Sequence, residues 1–177
     1  AQNTDERLQH GKSVNPAFFY AVLLWSWQQR LAQINLDNGE DYFPAQQNAA
    51  MRVLTLQSKS TAIPRYTAQT IRDIWELQPR LEQPKARFVP KLIAQPRFRA
   101  GFDFLLLREQ SGDTQTNGMG AWWEHYQTLS NDDKEKAIND LNKQQQKRRN
   151  ASKNKAADGN NTPVTEVIAA SELQRDK

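Results

Sequence analysis

The segment between positions 63 and 108 is the part of this sequence with the most distinctive chemistry. Counted together with Glu109 directly after it, it holds nine basic residues against five acidic ones, a net charge of +4 that equals the formal net charge of all 177 residues. The basic residues are Arg65, Arg72, Arg80, Lys85, Arg87, Lys91, Arg97, Arg99 and Arg108. Aromatic and aliphatic residues are interleaved with them at helical spacing. This pattern indicates a helical surface that binds a polyanion.

Three of these arginines fall on one face of a predicted helix. Arg65, Arg72 and Arg80 are seven and eight positions apart, which places them within about a quarter turn of one another. At ~1.5 Å per residue the first two lie roughly 10 Å apart, a distance that suits phosphates along one strand. The other interpretation is a solvated face on which Arg72 pairs with Glu76. Both interpretations remain open from the sequence.

Two further groups of cations are candidates for the same kind of contact. Arg97 and Arg99 lie at a predicted helix start, where the backbone adds partial positive charge, although Arg99 can instead pair with Asp103 one turn away. The second group, near the C-terminus, consists of Lys143, Lys147, Arg148, Arg149, Lys153 and Lys155. Such a cluster adds affinity for nucleic acid, or it only keeps the chain in solution.

Residue types that carry catalysis or bind metals are scarce. The chain has no cysteine, and neither His10 nor His125 has metal-ligating partners at a recognisable spacing. No glycine-rich phosphate loop follows a strand, and Asp132 and Asp133 fit helix capping better than a metal pair. We therefore predict no catalytic residue, metal ligand or cofactor in this chain, and a binding module rather than a self-sufficient enzyme.

The composition also predicts where the chain works. The absence of cysteine fits a reducing compartment, and the longest apolar run, Ala17 to Trp27, is too short to cross a bilayer. We expect a cytoplasmic protein that does not enter membranes. Because residue 1 is Ala and the first residues are polar and unpatterned, we also expect a piece of a longer protein, with positions 1–14 leading in from an upstream part.

Hydrophobic periodicity predicts an all-α fold, an irregular bundle of about six or seven helices. The predicted helices begin at Pro16, Pro44, Arg65 and Pro96, followed by a short aromatic helix with Trp122 and Trp123 and a last helix capped by Ser130. The first helix is apolar around most of its circumference, so we expect it in the middle of the domain. The third is expected to kink or stop near Pro79.

Four stretches of the sequence follow one another in a recognisable order. They are Val14 to Trp25, Ala62 to Arg65 with Ile71 to Gln78, Pro96 to Ala100 with Phe102 to Arg108, and Trp122 to Glu124 before Tyr126 and Gln127. In this order and spacing they resemble the C-terminal region, beyond the neck, of bacterial poly(A) polymerase, a family of the nucleotidyltransferase superfamily. The resemblance covers the chain from about position 5 to position 127.

The resemblance implies a parent protein that adds adenylates to RNA 3′ ends from ATP, in polyadenylation and mRNA processing. It implies that Mg²⁺ and ATP are bound by an N-terminal catalytic head outside this sequence. The matching region in the family is helical, holds RNA and contacts RNA-processing partners such as a DEAD-box helicase. Arg65, Arg72, Arg97 and Arg99 lie in the matched stretches and are carried over as RNA contacts.

Together these observations predict a helical RNA-binding domain at 15–129, a terminal helix with a basic end at 130–149 and a disordered polar tail at 150–177. The predicted RNA-binding residues are Arg65, Arg72, Arg80, Lys85, Arg87, Lys91, Arg97, Arg99, Lys147, Arg148 and Arg149. The partners expected are RNA and the catalytic head. The alternative is a protein-interaction scaffold whose basic face docks an acidic partner.

Overall fold

The all-α prediction is confirmed by a computed structural model that describes residues 15–158. Seven α-helices occur in this range: α1 Pro16–Asp37, α2 Tyr42–Ser58, α3 Arg65–Glu82, α4 Val89–Ile93, α5 Phe98–Gln110, α6 Met119–Thr128 and α7 Asn131–Asp158. Two short 3-10 turns, Ala86–Phe88 and Thr114–Thr116, lie before α4 and before α6. No strand occurs among the described residues.

Side chains next to the helix ends determine where several helices begin. Asn15 caps α1, since its Oδ1 accepts the backbone N–H of Ala17 at 2.9 Å. Ser130 caps α7 as predicted, with its Oγ accepting the N–H of Asp133 at 3.3 Å. Glu109 of α5 accepts two backbone N–H groups of the first turn of α6, at 2.8 and 2.9 Å. Local capping therefore joins the end of α5 to the start of α6.

The first of two hydrophobic cores lies between α1, α2 and the N-terminal half of α3. Ile71 and Ile74 of α3 are completely buried there. The indole N–H of Trp75 donates to the carbonyl of Ala21 at 3.0 Å, so its polar atom is satisfied inside the core. Phe104 of α5 also belongs to this core.

The second core lies between the C-terminal half of α3 and helices α4 to α7. Trp123 is completely buried at its centre and donates its indole N–H to the carbonyl of Leu81 at 2.9 Å. Trp122 is only half-buried and stacks on Tyr126, so the two adjacent tryptophans face different ways. Helices α3 and α5 contribute to both cores and hold them together.

The prediction that α1 lies in the middle of the domain is wrong. Four large apolar side chains, Phe19, Leu23, Trp27 and Ile34, are between 38% and 57% exposed. Their spacing of four, four and seven positions places them on one face of the helix. The opposite face packs on α2 and α3 through mostly small side chains, with Ala21 as an example. A helix that is apolar all round can be buried on every face, but it becomes so only where other elements pack on every side.

Helix α3 does not stop at Pro79 but continues to Glu82. A proline inside a helix costs about 3 kcal/mol. The turn that begins at Pro79 also buries Leu81, and a buried leucine contributes roughly 1.5–3 kcal/mol. The burial of Leu81 therefore offsets much of the cost of the proline, which single-helix rules do not include.

Helix α7 is longer than predicted, because it runs past position 149 to Asp158. Residues 150–158 were predicted to be disordered, but they contain three alanines and two lysines, which are good helix formers. Leu141 attaches α7 to the second core, and the amide of Gln145 donates to the carbonyl of Pro84 at 2.7 Å. The rest of the predicted tail, 159–177, and the lead-in at 1–14 lie outside the described residues.

Candidate nucleic-acid interface

A cleft of about 470 Å³ opens where the end of α3 meets α4 and the start of α2. Three of the cations predicted from the sequence line it, namely Arg80, Lys85 and Lys91. We call these three residues the cleft cations. They come from the last turn of α3, the linker after it, and α4. The fold therefore brings together on one surface charges that are up to eleven positions apart in the sequence.

The chain reversal after α3 explains this arrangement. Helix α3 ends at Glu82, Pro84 is buried, and a 3-10 turn leads directly into α4. Val89 and Leu92 of α4 are buried in the second core, so Lys91 between them is turned to the solvent side. This reversal places a short helix beside the end of α3.

The cleft cations have no carboxylate partner within 4 Å in the described part of the chain. Glu82, the acid closest to Arg80 in the sequence, is bound to Arg108 instead. Unpaired cations in a concave surface focus a positive potential into it. A smaller cavity of about 50 Å³ shares Arg80 with the cleft and is bordered by one carboxylate, Glu76. The charge balance at the cleft therefore favours an anionic ligand.

Two aromatic side chains that sequence reasoning missed also line the cleft. Phe43 is 66% exposed and Phe88 is 38% exposed. The guanidinium of Arg87 lies over the Phe88 ring, 4.6 Å from its centroid, so this predicted RNA-binding residue borders the cleft through that ring. The sequence held one signal for their exposure, because both phenylalanines lie outside the apolar stripes that predicted core packing.

Arg97 and Arg99 do not line the cleft. Each of them binds other side chains of the protein instead. Nε of Arg97 lies 3.7 Å from Asp73, and its Nη2 donates to the hydroxyl of Tyr66 at 2.7 Å. This hydrogen bond lowers the pKa of Tyr66. Arg99 forms the pair with Asp103 that was the alternative interpretation, at 3.0 Å. Exposed pairs of this kind contribute ~1 kcal/mol or less, so a phosphate can still compete for these arginines.

The other predicted residues are spread along the surface. Arg65 is exposed in the first turn of α3, and Arg72 donates to Oε1 of Gln69 at 2.6 Å. Because α3 is continuous, both lie on the same face as Arg80. Lys147 is exposed on α7. The side chains of Arg148 and Arg149 lie outside the described residues.

Arg108, the ninth cation of the basic segment, is buried. Its guanidinium contacts Glu82 at 2.5 Å and Asp113 at 2.8 Å, and donates to Gln78 at 3.0 Å. It also lies 4.6 Å from the ring centroid of Trp25. This residue ties α5 to α3 and α1 and takes no part in the surface charge.

Residues 15–158 contain neither a candidate metal site nor a candidate membrane span. No group of three or more His, Asp or Glu side chains there is arranged to hold a metal ion. In the same range, none of the helices combines the length and the apolar character needed to cross a membrane.

The fold and the cleft define a class, an all-helical domain with a cationic cleft lined by exposed aromatic rings. Positions 38–156 match the family model described as the polymerase A arginine-rich C-terminus. The matched range covers more than half of the chain and includes all three cleft cations. The chain therefore belongs to this family, as the resemblance implied.

Several curated proteins are similar to the chain over most of its length. Poly(A) polymerase I of Salmonella typhi is 34% identical over 154 residues, which is 86% of this chain and 33% of that protein. Poly(A) polymerase I of Escherichia coli O157:H7 is 33% identical over 153 residues. The protein of the same name from Haemophilus influenzae is 31% identical over 137 residues, 77% of this chain and 30% of that protein. The chain thus spans about a third of the length of the relatives it matches.

Proposed function

We propose that this chain is the RNA-binding C-terminal part of a poly(A) polymerase, an enzyme that adds adenylates to RNA 3′ ends from ATP. Membership of the family supports the assignment to the polymerase. The observation that supports RNA binding is the cleft in which Arg80, Lys85 and Lys91 meet without carboxylate partners among the described residues. Exposed cations in a concave surface suit a phosphate backbone and carry no sequence preference.

The role proposed for the chain is binding and positioning. The cleft cations would contact successive phosphates and release their counterions, and the held strand would place its 3′ end for a reaction carried out elsewhere. Bond formation, with the Mg²⁺ and ATP that it requires, is proposed to belong to the catalytic head of the polymerase. A cytoplasmic location goes with this role in mRNA processing.

The test is the salt dependence of RNA binding by a variant without the cleft charges. The variant R80Q/K85Q/K91Q and the parent chain would be titrated with a labelled single-stranded oligo(A) at several salt concentrations. Each lost phosphate contact lowers the slope of log K against log salt by ~0.7 for a single strand. We expect the triple variant to lose about 2 from that slope and to bind more weakly at low salt.

The matched control removes the same amount of charge elsewhere. Arg30, Arg52 and Lys59 are exposed, do not line the cleft and have no carboxylate partner among the described residues. The variant R30Q/R52Q/K59Q should keep the parent's slope. Equal slopes for the two triple variants would mean that net charge alone attracts RNA, and would contradict a role for the cleft.

A separate assay addresses chemistry. The chain would be incubated with ATP, Mg²⁺ and an RNA primer, and we expect no primer extension. Extension by the purified chain would overturn the assignment of bond formation to the catalytic head.

A second role is favoured by the exposed apolar face of α1. Phe19, Leu23, Trp27 and Ile34 form one continuous stripe on the first described helix. Single exposed apolar residues are ordinary, whereas an aligned set marks a surface that a protein covers. The part of the relatives that this chain matches is only about a third of their length. We therefore propose that the catalytic head of the polymerase packs on this stripe.

This second role predicts a selective effect of a charge on the stripe. Leu23→Lys should leave the stability of the chain within about 0.5 kcal/mol of the parent, because the residue is exposed. It should weaken association with the separately expressed catalytic head, measured by sedimentation. Self-association of the chain through the stripe, or unchanged binding of the head, would contradict the proposal. Selective loss of binding to a DEAD-box helicase would assign the stripe to that partner instead.

A further inference from the structure

The cleft contains two features that phosphate binding does not require. Phe43 and Phe88 come from different elements, the start of α2 and the 3-10 turn before α4, yet both line the cleft and both are exposed. The three phenylalanines of α5, at positions 98, 102 and 104, are at most 5% exposed. Exposed aromatic rings forgo the favourable burial that the core offers, and here two of them line the same cleft as three cations.

We propose that the cleft binds unpaired nucleotides by stacking their bases on Phe88 and Phe43 while the cleft cations hold the adjoining phosphates. This inference rests on the proposed function and adds the part of RNA that is recognised, namely the base faces of a single strand. Flat rings beside unpaired cations are the combination used to bind single strands, because every base has a π face.

The surroundings of Phe88 support this role. The guanidinium of Arg87 lies 4.6 Å from the ring centroid, so one side of the ring is covered by a cation. A base can stack on the other side of the ring or against the planar guanidinium. The cleft volume of about 470 Å³ falls within the roughly 300–1,000 Å³ of sites that enclose small organic ligands. That space is sufficient for bases that have left a helix.

The inference makes a prediction that phosphate contact alone does not make. In a duplex both faces of each internal base are covered by neighbouring pairs, whereas the phosphates remain accessible. A cleft that stacks bases should therefore prefer a single strand over the same strand annealed to its complement. A surface that contacts only phosphates should bind the duplex at least as well, because the duplex has the higher charge density.

The experiment uses the full chain and labelled oligo(A), free or annealed to oligo(U), with fluorescence anisotropy at one moderate salt concentration. Phe88→Leu keeps apolar volume but removes the π face, and Phe88→Trp restores one. Phe43→Ala removes the second ring. We expect Phe88→Leu and Phe43→Ala each to weaken single-strand binding by about fivefold or more. We expect Phe88→Trp to retain binding, and all three variants to keep the parent's salt slope.

The control is Met51→Ala, which removes another exposed apolar side chain of α2 that does not line the cleft. It should bind as the parent does, and thermal unfolding would show that all variants remain folded. If Phe88→Leu and Phe43→Ala bind the single strand as tightly as the parent, or if the duplex is preferred, stacking is overturned while phosphate binding by the cleft stands. If removing the cleft cations also has no effect, the proposed function itself fails.

Discussion

Two groups of cations in the basic segment differ in their partners. The α5 arginines, which are Arg97 at its N-terminal cap with Arg99 and Arg108 in the helix, all bind carboxylates of the chain itself. The cleft cations bind none among the described residues. Both groups lie in the same basic segment of the sequence, between positions 63 and 108. The comparison teaches that the availability of a charge depends on which acids the fold places beside it.

The α5 arginines also differ among themselves in burial. The side chain of Arg99 is 71% exposed, whereas that of Arg108 is 4% exposed. A buried guanidinium must keep its partners, because an uncompensated buried charge costs several kcal/mol. An exposed pair loses little when one partner leaves. The basic segment therefore contains a structural cation, surface pairs, and cations without a carboxylate partner in the described part of the chain, and we expect each kind to respond differently to substitution.

The largest effect is expected for Arg108. Arg108→Met would leave the carboxylates of Glu82 and Asp113 without their cation, and these side chains are only 15% and 27% exposed. Breaking a buried pair costs about 3–5 kcal/mol, and we expect about 3 kcal/mol because both acids retain some water. Urea denaturation would measure the loss. Arg99→Met on the same helix is the control, and an equal loss in the two variants would mean that the buried arginine stabilises the fold no more than the exposed one.

The next effect concerns the contact between α3, which carries Arg80, and α5, which carries Arg99 and Arg108. A Cβ on Gly101 of α5 would lie 2.9 Å from Cδ1 and 3.1 Å from Cβ of Leu77 on α3. Overpacking of this kind costs about 1–3 kcal/mol, against a gain of up to about 1 kcal/mol from the helix propensity of alanine. We expect Gly101→Ala to destabilise the chain by about 1 kcal/mol in thermal unfolding. A stabilised variant would show that α3 and α5 separate more easily than their packing indicates.

A smaller effect should distinguish the cleft cations from the α5 arginines in RNA binding. Arg80→Gln with Lys85→Gln should lower the slope of log K against log salt by about 1.4, at ~0.7 for each contact. Arg97→Gln with Arg99→Gln removes the same charge, but these arginines must leave their carboxylates before they bind a phosphate. We expect this second pair to change the slope by less than half as much. Equal changes in filter-binding titrations would remove the distinction between paired and free cations.

The smallest effect is a shift in titration at Tyr66. The hydrogen bond from Arg97 lowers the pKa of Tyr66 from its ordinary value of 10.0, so Arg97→Gln should raise it again. Because the folded pKa is the lower one, this tyrosine stabilises the folded chain fully above the unfolded value, near pH 10, and the contribution is lost as pH falls through the folded value. NMR titration of the ring would measure the shift. An unchanged titration curve would mean that Arg97 does not form this hydrogen bond to Tyr66 in solution.

Much of the fold was predictable because it depends on short-range rules. The start of α1 at Pro16 and the cap of α7 by Ser130 follow from capping chemistry within a few residues. The buried stripe of α3 through Ile71 and Ile74 follows from helical period. The continuation of α3 past Pro79 and the exposed face of α1 have a common origin. In both places the outcome depends on which other helices pack nearby.

The candidate site was predictable only in part. Arg80, Lys85 and Lys91 were all among the predicted contacts, since charge can be counted in a sequence. Phe43 and Phe88 were missed, because an aromatic residue has the same letter in a core and on a surface.

The sequence by itself determined the helical class, most helix boundaries, the family and the excess of positive charge between positions 63 and 108. These properties depend on neighbours within one or two turns, or on residue types alone. Only the tertiary structure decided that Arg108 is buried, that Arg97 is paired with Asp73, and that the cleft cations lie beside two exposed rings with no carboxylate partner among the described residues. Burial and pairing are contacts between residues distant in sequence, and they exist only once the helices have packed.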